Sequence, residues 1–412
     1  MKTDPDSPAR LCRHCKSTDT ASFLDLGYAP PSNAYLSAER LSAPEVTYPL
    51  RLFVCRDCRL VQTEDYAQAD ELFESDYAYF SSTSRSWLEH AKRYCDMISQ
   101  RFSLSADSHV LELASNDGYL LKNFVQAGVP CLGIEPAHHA AQAARAQGIE
   151  VQEIFFGHDV AAGVPASDLI IGNNVFAHVP DINDFTSGMA RALKPSGVIT
   201  LEFPHLLNMV RYNQFDTVYH EHFSYLSLLA VERIFARAGL RVFDVEKLPT
   251  HGGSLRIYGC HEASSNVEHD AVSDLRREEA DAGLSDDAFY AGFQIAAETV
   301  KNAFLGFLLA AQSEGKSVAG YGAAAKGNTL MNFAGIRPDL VKFVCDAAPA
   351  KIGKYLPGSH IPIHAPDVLE VSVPDYLVIF PWNIADEIAV QLAWLKDKGT
   401  RFFAAVPEMR EL

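Results

Sequence analysis

No stretch of the 412-residue sequence is apolar for long enough to cross a lipid bilayer. The longest strongly apolar run, around Phe304 to Ala311, falls far below the roughly 20 residues that a spanning helix requires, and it reads as a buried helix instead. The first ten residues, Met1 to Arg10, lack the apolar core of a secretory signal, so a cytoplasmic location is expected. Basic residues are in deficit, 35 against 52 acidic ones, for a net charge of −17. Such a balance argues against a grip on nucleic acid and leaves room for an anionic ligand only where local groups overrule the global sign. Internal repeats and low-complexity tracts are also absent. The length therefore divides among two or three ordinary domains, because single cores stop growing at roughly 250 to 300 residues.

Cysteine is not scarce. Cys95, Cys131, Cys260 and Cys345 are scattered, whereas Cys12, Cys15, Cys55 and Cys58 form two C-x-x-C pairs. In a reducing compartment, two such knuckles read as a tetrahedral zinc site whose four thiolates leave no position open for chemistry. The metal is then structural and contributes on the order of 10 kcal/mol to folding a small lobe. Redox pairing is the alternative, since the loop between the knuckles is longer than usual.

Downstream, Trp87, Ala91, Tyr94 and Ile98 recur at helical spacing within a predicted helix over Ser84 to Gln100. A strand at His109 to Leu113 then runs through the turn Ala114 to Gly118 into a helix starting near Tyr119. Further strands are predicted at Val129 to Ile134, Asp168 to Gly172 and Gly197 to Glu202. Strands alternating with helices imply a parallel, doubly wound α/β sheet. An amphipathic helix over about Asp286 to Ser313, with Phe289, Phe293, Ala296, Val300, Phe304 and Leu308 on one face, joins this sheet to a second unit. That unit has a strand at Ser317 to Gly320, a turn from Gly320 to Gly327 and a strand at Phe343 to Asp346.

The first turn is short of glycine. Glu112-Leu113-Ala114-Ser115-Asn116-Asp117-Gly118 keeps one glycine where a dinucleotide fold wants three, and Glu135 follows at about the 20-residue distance of a ribose-binding acid. Acids beside a small-residue turn repel a diphosphate and suit a nucleoside with a cationic tail. S-adenosylmethionine is such a ligand, and a ligand-free capped turn is the alternative. The second turn carries the G-x-G-x-x-A pattern of Gly320, Gly322 and Ala325. It fits a nicotinamide cofactor, a substrate phosphate held by Lys326 and Asn328 at a helix start, or glycines that only permit close packing. Between the units lies Tyr219-His220-Glu221-His222, a run of groups suited to proton transfer.

Taken in order, Cys12-x-x-Cys15 and Cys55-x-x-Cys58, Tyr77 to Ser82, Glu112 to Gly118, Asn173 to Asp181, Tyr219 to His222, His251 to Arg256 and Gly320 to Asn328 resemble the S-adenosylmethionine-dependent sugar C-methyltransferases of antibiotic deoxysugar pathways. The likeness covers nearly the whole chain. It implies an N-terminal zinc lobe at 1–70, a central class I methyltransferase domain at 71–230, and a C-terminal Rossmann-like substrate-binding domain at 231–412 that includes the linking helix. It also implies methylation of a nucleotide-linked 4-keto-deoxysugar, at C-3 in the typical members, through an enolate. By the same resemblance His222 is the base, with Glu221 and Tyr219 orienting it or the sugar; His178 is a donor to the enolate oxygen, and Tyr77 or Tyr79 closes the site. The cofactor would meet Glu112, Ala114, Asn116, Asp117, Gly118, Glu135, Pro136, Asn173 and Asn174, and the substrate Ser254, Arg256, Lys326 and Asn328. The four cysteines hold zinc, and the chain is expected to act as a monomer on a small molecule without nucleic acid or membrane. Two other classes stay open: an NAD(P)-dependent oxidoreductase using the Gly320–Gly322 turn, and a zinc-ribbon adaptor with inert Rossmann-like units.

Overall fold

The computed structural model describes residues 10–64, 82 and 85–412. Tyr77 and Tyr79 lie outside the described residues. At the N-terminus, strands β1 (Thr20–Ala29), β2 (Tyr48–Cys55) and β3 (Val61–Thr63) pair antiparallel. Leu50, Leu52 and Val54 alternate along β2 onto one buried face, the period of two that a half-buried strand requires.

The helix Arg85–Arg101 buries Ala91, Tyr94 and Ile98, as the spacing predicts. It leads into β4 (Val110–Leu113), β5 (Cys131–Ile134), β6 (Val151–Gln152), β7 (Ser167–Asn173) and β8 (Leu193–Pro204). All four residues of β4 are buried, as expected of a parallel strand covered by helices on both faces. Next along the chain, β9 (Ser224–Tyr225) leaves this sheet and joins the N-terminal one, pairing with β3. Two more strands, β10 (Leu240–Leu248) and β11 (Ser254–His261), complete a seven-stranded sheet of order β10-β11-β8-β7-β4-β5-β6.

Two expectations need correction here. The sheet is not wholly parallel, because β11 runs against both β8 and β10. The turn before it explains why: His251, Gly252 and Gly253 all adopt positive φ (54°, 88° and 112°), which reverses the chain within a few residues and makes a hairpin in place of a crossover. In addition, the sheet runs past the boundary expected at residue 230, since β10 and β11 belong to it.

The C-terminal sheet consists of β12 (Val318–Tyr321), β13 (Val344–Cys345), β14 (Ile363–His364), β15 (Tyr376–Ile379), β16 (Arg401–Ala404) and β17 (Arg410–Glu411), in the order β14-β13-β12-β15-β16-β17 and antiparallel only at β17. The predicted linking helix is broken. Gly292, at φ 96°, separates a turn of helix at Asp287–Tyr290 from the helix Phe293–Ser313, whose buried face is Phe293, Ala297, Val300, Phe304, Leu308 and Ala311. Phe293 stacks on Phe23 of β1 at 4.9 Å, so this helix shares one apolar core with the N-terminal lobe and the C-terminal sheet. Among the described residues, no helix is long and apolar enough to cross a membrane.

One buried carboxylate ties the helix Asp270–Asp281 to the segment that follows β9. Glu279 accepts from the backbone N–H groups of Leu228 (2.7 Å) and Leu229 (2.9 Å), the first donors of the helix Leu228–Arg237, and lies 2.7 Å from Nε2 of His205. Those donors have no partner within their own helix, and a negative charge there also opposes the helix dipole. Glu279→Ala is expected to cost about 3 kcal/mol by stranding them. Urea unfolding measures it, and a loss below about 0.5 kcal/mol would show that the cap is replaceable.

Candidate active site

The four cysteine sulfurs converge. Cys12 and Cys58 lie 3.4 Å apart, Cys15 and Cys55 3.5 Å, and all four Sγ atoms fall within 4.8 Å of one another. Disulfides would need about 2.05 Å, whereas zinc–sulfur bonds of about 2.3 Å in a tetrahedron place sulfurs roughly 3.8 Å apart. Each knuckle turns through a residue at positive φ, Lys16 (64°) and Arg59 (61°), and closes with Lys16 N–H to Cys12 O and Arg59 N–H to Cys55 O. The donor set and its spacing fit a closed structural zinc site.

The first knuckle does more than hold a metal. Arg13 donates to the carbonyl of Pro180 at 2.8 Å and lies 5.3 Å above the ring of Phe223, while Nδ1 of His14 lies 2.7 Å from Oδ1 of Asn183. It therefore touches the loop carrying His178 and the loop carrying His222.

At the carboxyl end of the seven-stranded sheet, the Ala114 to Gly118 turn gathers three acids. Glu112 is fully buried and its carboxyl is pushed well above its usual range, first by burial and then by the charges of Glu135 and Asp117. Burial raises Glu135 as well, although it accepts from the N–H groups of Ala137 and Asn116, both at 2.8 Å. Oε2 of Glu112, Oδ1 of Asp117 and both amide atoms of Asn173 are buried without a hydrogen-bond partner. Such a set suits a ligand that brings positive charge and hydroxyl or amine donors, and S-adenosylmethionine brings both. Ala114 (φ 55°), Asn116 (48°), Gly118 (79°) and Asn174 (54°) adopt the left-handed conformation that holds the turn open. At Ala114 a residue other than glycine takes it at a cost of about 1–2 kcal/mol. Pro136 is half-buried beside this cluster.

The Tyr219 to His222 run lies on the segment between the sheets. Nδ1 of His222 is 3.2 Å from the carbonyl of Thr217. A carbonyl only accepts, so Nδ1 carries the proton and Nε2 keeps its lone pair. The ring packs on Tyr219 (4.0 Å between centroids) and edge-on against His178 (4.5 Å). Burial, and then the neighbouring His178, holds His222 well below the usual histidine range; burial takes His178 down to about 4. Both imidazoles are therefore neutral at pH 7. His222 also lines a cavity of about 20 Å³ with Ala177, Pro204, Leu206 and Tyr225, room for a single water. The carboxylate of Glu221 accepts from Nδ2 of Asn33 at 2.9 and 3.1 Å, and its backbone is hydrogen-bonded to the ring of His178. His220, which has no expected role, packs on Tyr48 with Nε2 3.3 Å from its carbonyl and anchors the segment to the lobe.

The remaining predicted residues separate. Arg256 gives its guanidinium to Glu202 and Glu246, and Ser254 donates to the carbonyl of Thr250, so both are engaged inside the protein. Lys326 lies over the ring of Trp382 (4.4 Å) and donates to Asn383, close to His251 and Asp216, whose carboxylate accepts from the Trp382 indole at 2.7 Å. Asn328 donates to the carbonyl of Ser32, and its own amide oxygen is buried without a partner. In the Gly320 turn, a Cβ on Gly320 or Gly327 would strike Phe380 at 2.5 and 2.9 Å, and one on Gly322 would strike Pro381 at 2.4 Å. Close packing thus accounts for the dinucleotide-like spacing. Thr217, Asn33, Arg13 and Trp382 carry no sequence signal for these roles.

Because the first knuckle and β3 hold both histidine-bearing loops, stripping zinc with a chelator is expected to expose residues 10–64 to trypsin and lower turnover at least tenfold. Metal analysis beside the rate checks this, and a zinc-free protein with native activity and protease resistance would refute it.

Three family models match in chain order: a domain described as zinc binding at 12–73, a methyltransferase domain at 87–245 and a C-methyltransferase C-terminal domain at 249–407. The chain is 34 % identical over 407 residues to the C-methyltransferase NovU of Streptomyces niveus, covering 98 % of this chain and 97 % of that protein. Among solved structures, a complex of the Haloferax volcanii Trm112 methyltransferase activator with a methyltransferase aligns with TM-score 0.37 and 16 % identity over 48 % of this chain and 99 % of that one. Magnesium protoporphyrin IX methyltransferase (ChlM) from Synechocystis PCC 6803 with bound SAM gives 0.36 and 12 % over 48 % and 100 %. Zinc knuckles, an acid-lined turn and a C-terminal Rossmann-like sheet thus follow one another along a chain that belongs to the C-methyltransferase family, a methyltransferase that uses S-adenosylmethionine and carries structural zinc.

Proposed function

We propose that this methyltransferase acts on a nucleotide-linked 4-keto-deoxysugar and methylates C-3, the carbon beside the ketone. The observation that carries the proposal is the pair of buried, neutral imidazoles, one with its tautomer set by the Thr217 carbonyl. Nε2 of His222 takes the proton from C-3, leaving the electron pair on the enolate and making the carbon a nucleophile. His178, neutral beside it, has its ring hydrogen-bonded to the backbone of Glu221 and serves the developing enolate oxygen as a donor by exchanging that bond, in a water-poor site where a donor is most effective. Only one of the two rings carries a charge at a time, because a second positive charge 4.5 Å away in a buried site is strongly disfavoured. S-adenosylmethionine, held by Glu112, Asp117, Glu135, Asn173 and the turn from Ala114 to Gly118, supplies the electrophilic methyl group. Tyr219 keeps the His222 ring in place, and Glu221 meets the sugar. Lys326 and Asn328 hold the nucleotide end, whereas Arg256 and Ser254, engaged inside the protein, act only as support for the site. The packed glycines of the Gly320 turn give no support to a dinucleotide cofactor.

His222→Ala is expected to lower kcat by at least about 10²-fold, the ordinary contribution of a positioned base, while calorimetric binding of S-adenosylmethionine stays intact. A near-native kcat would remove His222 as base. The pH profile gives a second check. Depression of His222 means that the base stays unprotonated as pH falls through 6.5, so the acid limb of kcat/KM lies below the ordinary histidine value. The same burial makes the unfolded chain bind more protons than the folded one below pH 6.5, so stability falls from there toward about 4, where His178 and His251 titrate in the fold. In deuterated water, exchange at C-3 of a dTDP- or GDP-linked 4-keto-6-deoxysugar would mark the proton removed, and exchange elsewhere would reassign the carbon.

A further inference from the structure

We infer that Asn33, on the N-terminal lobe, is a positioning residue for the reaction, acting through Glu221; this rests on the placement of Glu221 in the active site. Its amide nitrogen bridges both oxygens of that carboxylate, at 2.9 and 3.1 Å, across 188 residues of chain. Glu221 is only 3 % exposed, so the bond lies out of competition with water and sets the plane of the carboxylate.

The segment that carries Asn33 is itself fixed, and fixed from the other domain. The Ser32 carbonyl accepts from Nδ2 of Asn328 at 2.7 Å, the Tyr35 hydroxyl donates to the carbonyl of Ala323 at 2.6 Å, and Leu36 and Tyr355 exchange backbone hydrogen bonds at 2.9 and 2.8 Å. Residues 32–36 thus lie as a strap against the turn and helix start of the C-terminal Rossmann-like unit. At the next residue of that helix, the Thr329 hydroxyl lies 3.4 Å from Oγ of Ser32 and donates to the carbonyl of Val218 at 2.8 Å, immediately before Tyr219. One helix terminus therefore places both members of the pair, Asn33 through the strap and Glu221 through its own segment. Two groups held on one rigid element keep their separation when substrate enters, which is the requirement for a preorganised contact. The neutral amide adds no charge beside the Glu221 carboxyl, whereas a carboxylate in its place would repel it.

Asn33→Ala, Asn33→Asp and Glu221→Gln, assayed with a dTDP- or GDP-linked 4-keto-6-deoxysugar that the enzyme turns over, test the inference. Asn33→Ala is expected to lower kcat about tenfold with unchanged affinity for S-adenosylmethionine. Asn33→Asp is expected to move the acid limb of kcat/KM upward by about one pH unit, because an added negative charge beside the Tyr219 to His222 segment favours the protonated form of the base. Damage to lobe packing alone would lower melting temperature without moving that limb. Should Glu221→Gln be impaired while both Asn33 variants keep wild-type kcat and pH profile, the role of Asn33 is overturned and that of Glu221 stands. Should Glu221→Gln turn over normally, the placement of Glu221 fails and the inference with it. If Asn33→Asp does not fold, kcat of Asn33→Ala against its cofactor affinity decides.

Discussion

The pairing of β3 with β9 is the constraint on which the rest of the site depends. Val61 faces Tyr225, Gln62 faces Ser224, and the N–H of Thr63 reaches the carbonyl of Phe223 at 3.2 Å. The stretch from Val218 to Phe223 has no helix or strand of its own, yet it carries the proposed base. Holding each of its residues in one conformation costs roughly 1–2 kcal/mol of backbone entropy, and no ladder inside the stretch offsets it. Two bodies do so instead: the N-terminal lobe through β3, Tyr48 and Asn33 of the strap, and the C-terminal domain through Thr329. In the proposed reaction zinc takes part by this route, as the support of a sheet whose last strand is borrowed from the segment that carries the proposed base.

That arrangement explains why the metal sits so far from the chemistry in sequence and in role. Four thiolates close its coordination, so it cannot polarise a substrate. Its knuckle nevertheless supplies Arg13, which spans Pro180 and Phe223 and so couples the His178 loop to the His222 loop. A geometry in which two imidazoles stand 4.5 Å apart needs their two loops registered against each other, and a metal-stapled turn is stiffer than a loop of the same length.

What was legible in the sequence follows from the range of each signal. The zinc knuckles, the acid-lined turn and the βα alternation are local patterns, and each reappears in the structure where its residues placed it. Missed were features whose cause is distant. The hairpin that sends β11 antiparallel depends on three consecutive positive-φ residues, of which His251 gives no sign. The break at Gly292 lies inside an apolar stripe that otherwise continues. Thr217 meets His222 through a carbonyl, a group every residue possesses, and Asn33 meets Glu221 across 188 residues of chain. Gly320, Gly322 and Gly327 illustrate a further limit: glycine spacing reports that something approaches the backbone closely, not what approaches, and here Phe380 and Pro381 do.

In the proposed reaction, burial sets a conflict at the base that the surrounding groups resolve. A histidine driven well below its usual range is a weak base, and a carbon acid beside a ketone is a weak acid, so His222 alone is poorly matched to its task. The match improves only if the enolate is stabilised as it forms. The burial that weakens the base also strengthens any donor aimed at the enolate oxygen, because both charges develop in the same low-dielectric volume. A neutral His178 serves that purpose where a protonated one would repel the imidazolium forming at His222. The low proton affinity of both rings is therefore a condition of the mechanism: one must be free to accept while its neighbour donates without charge.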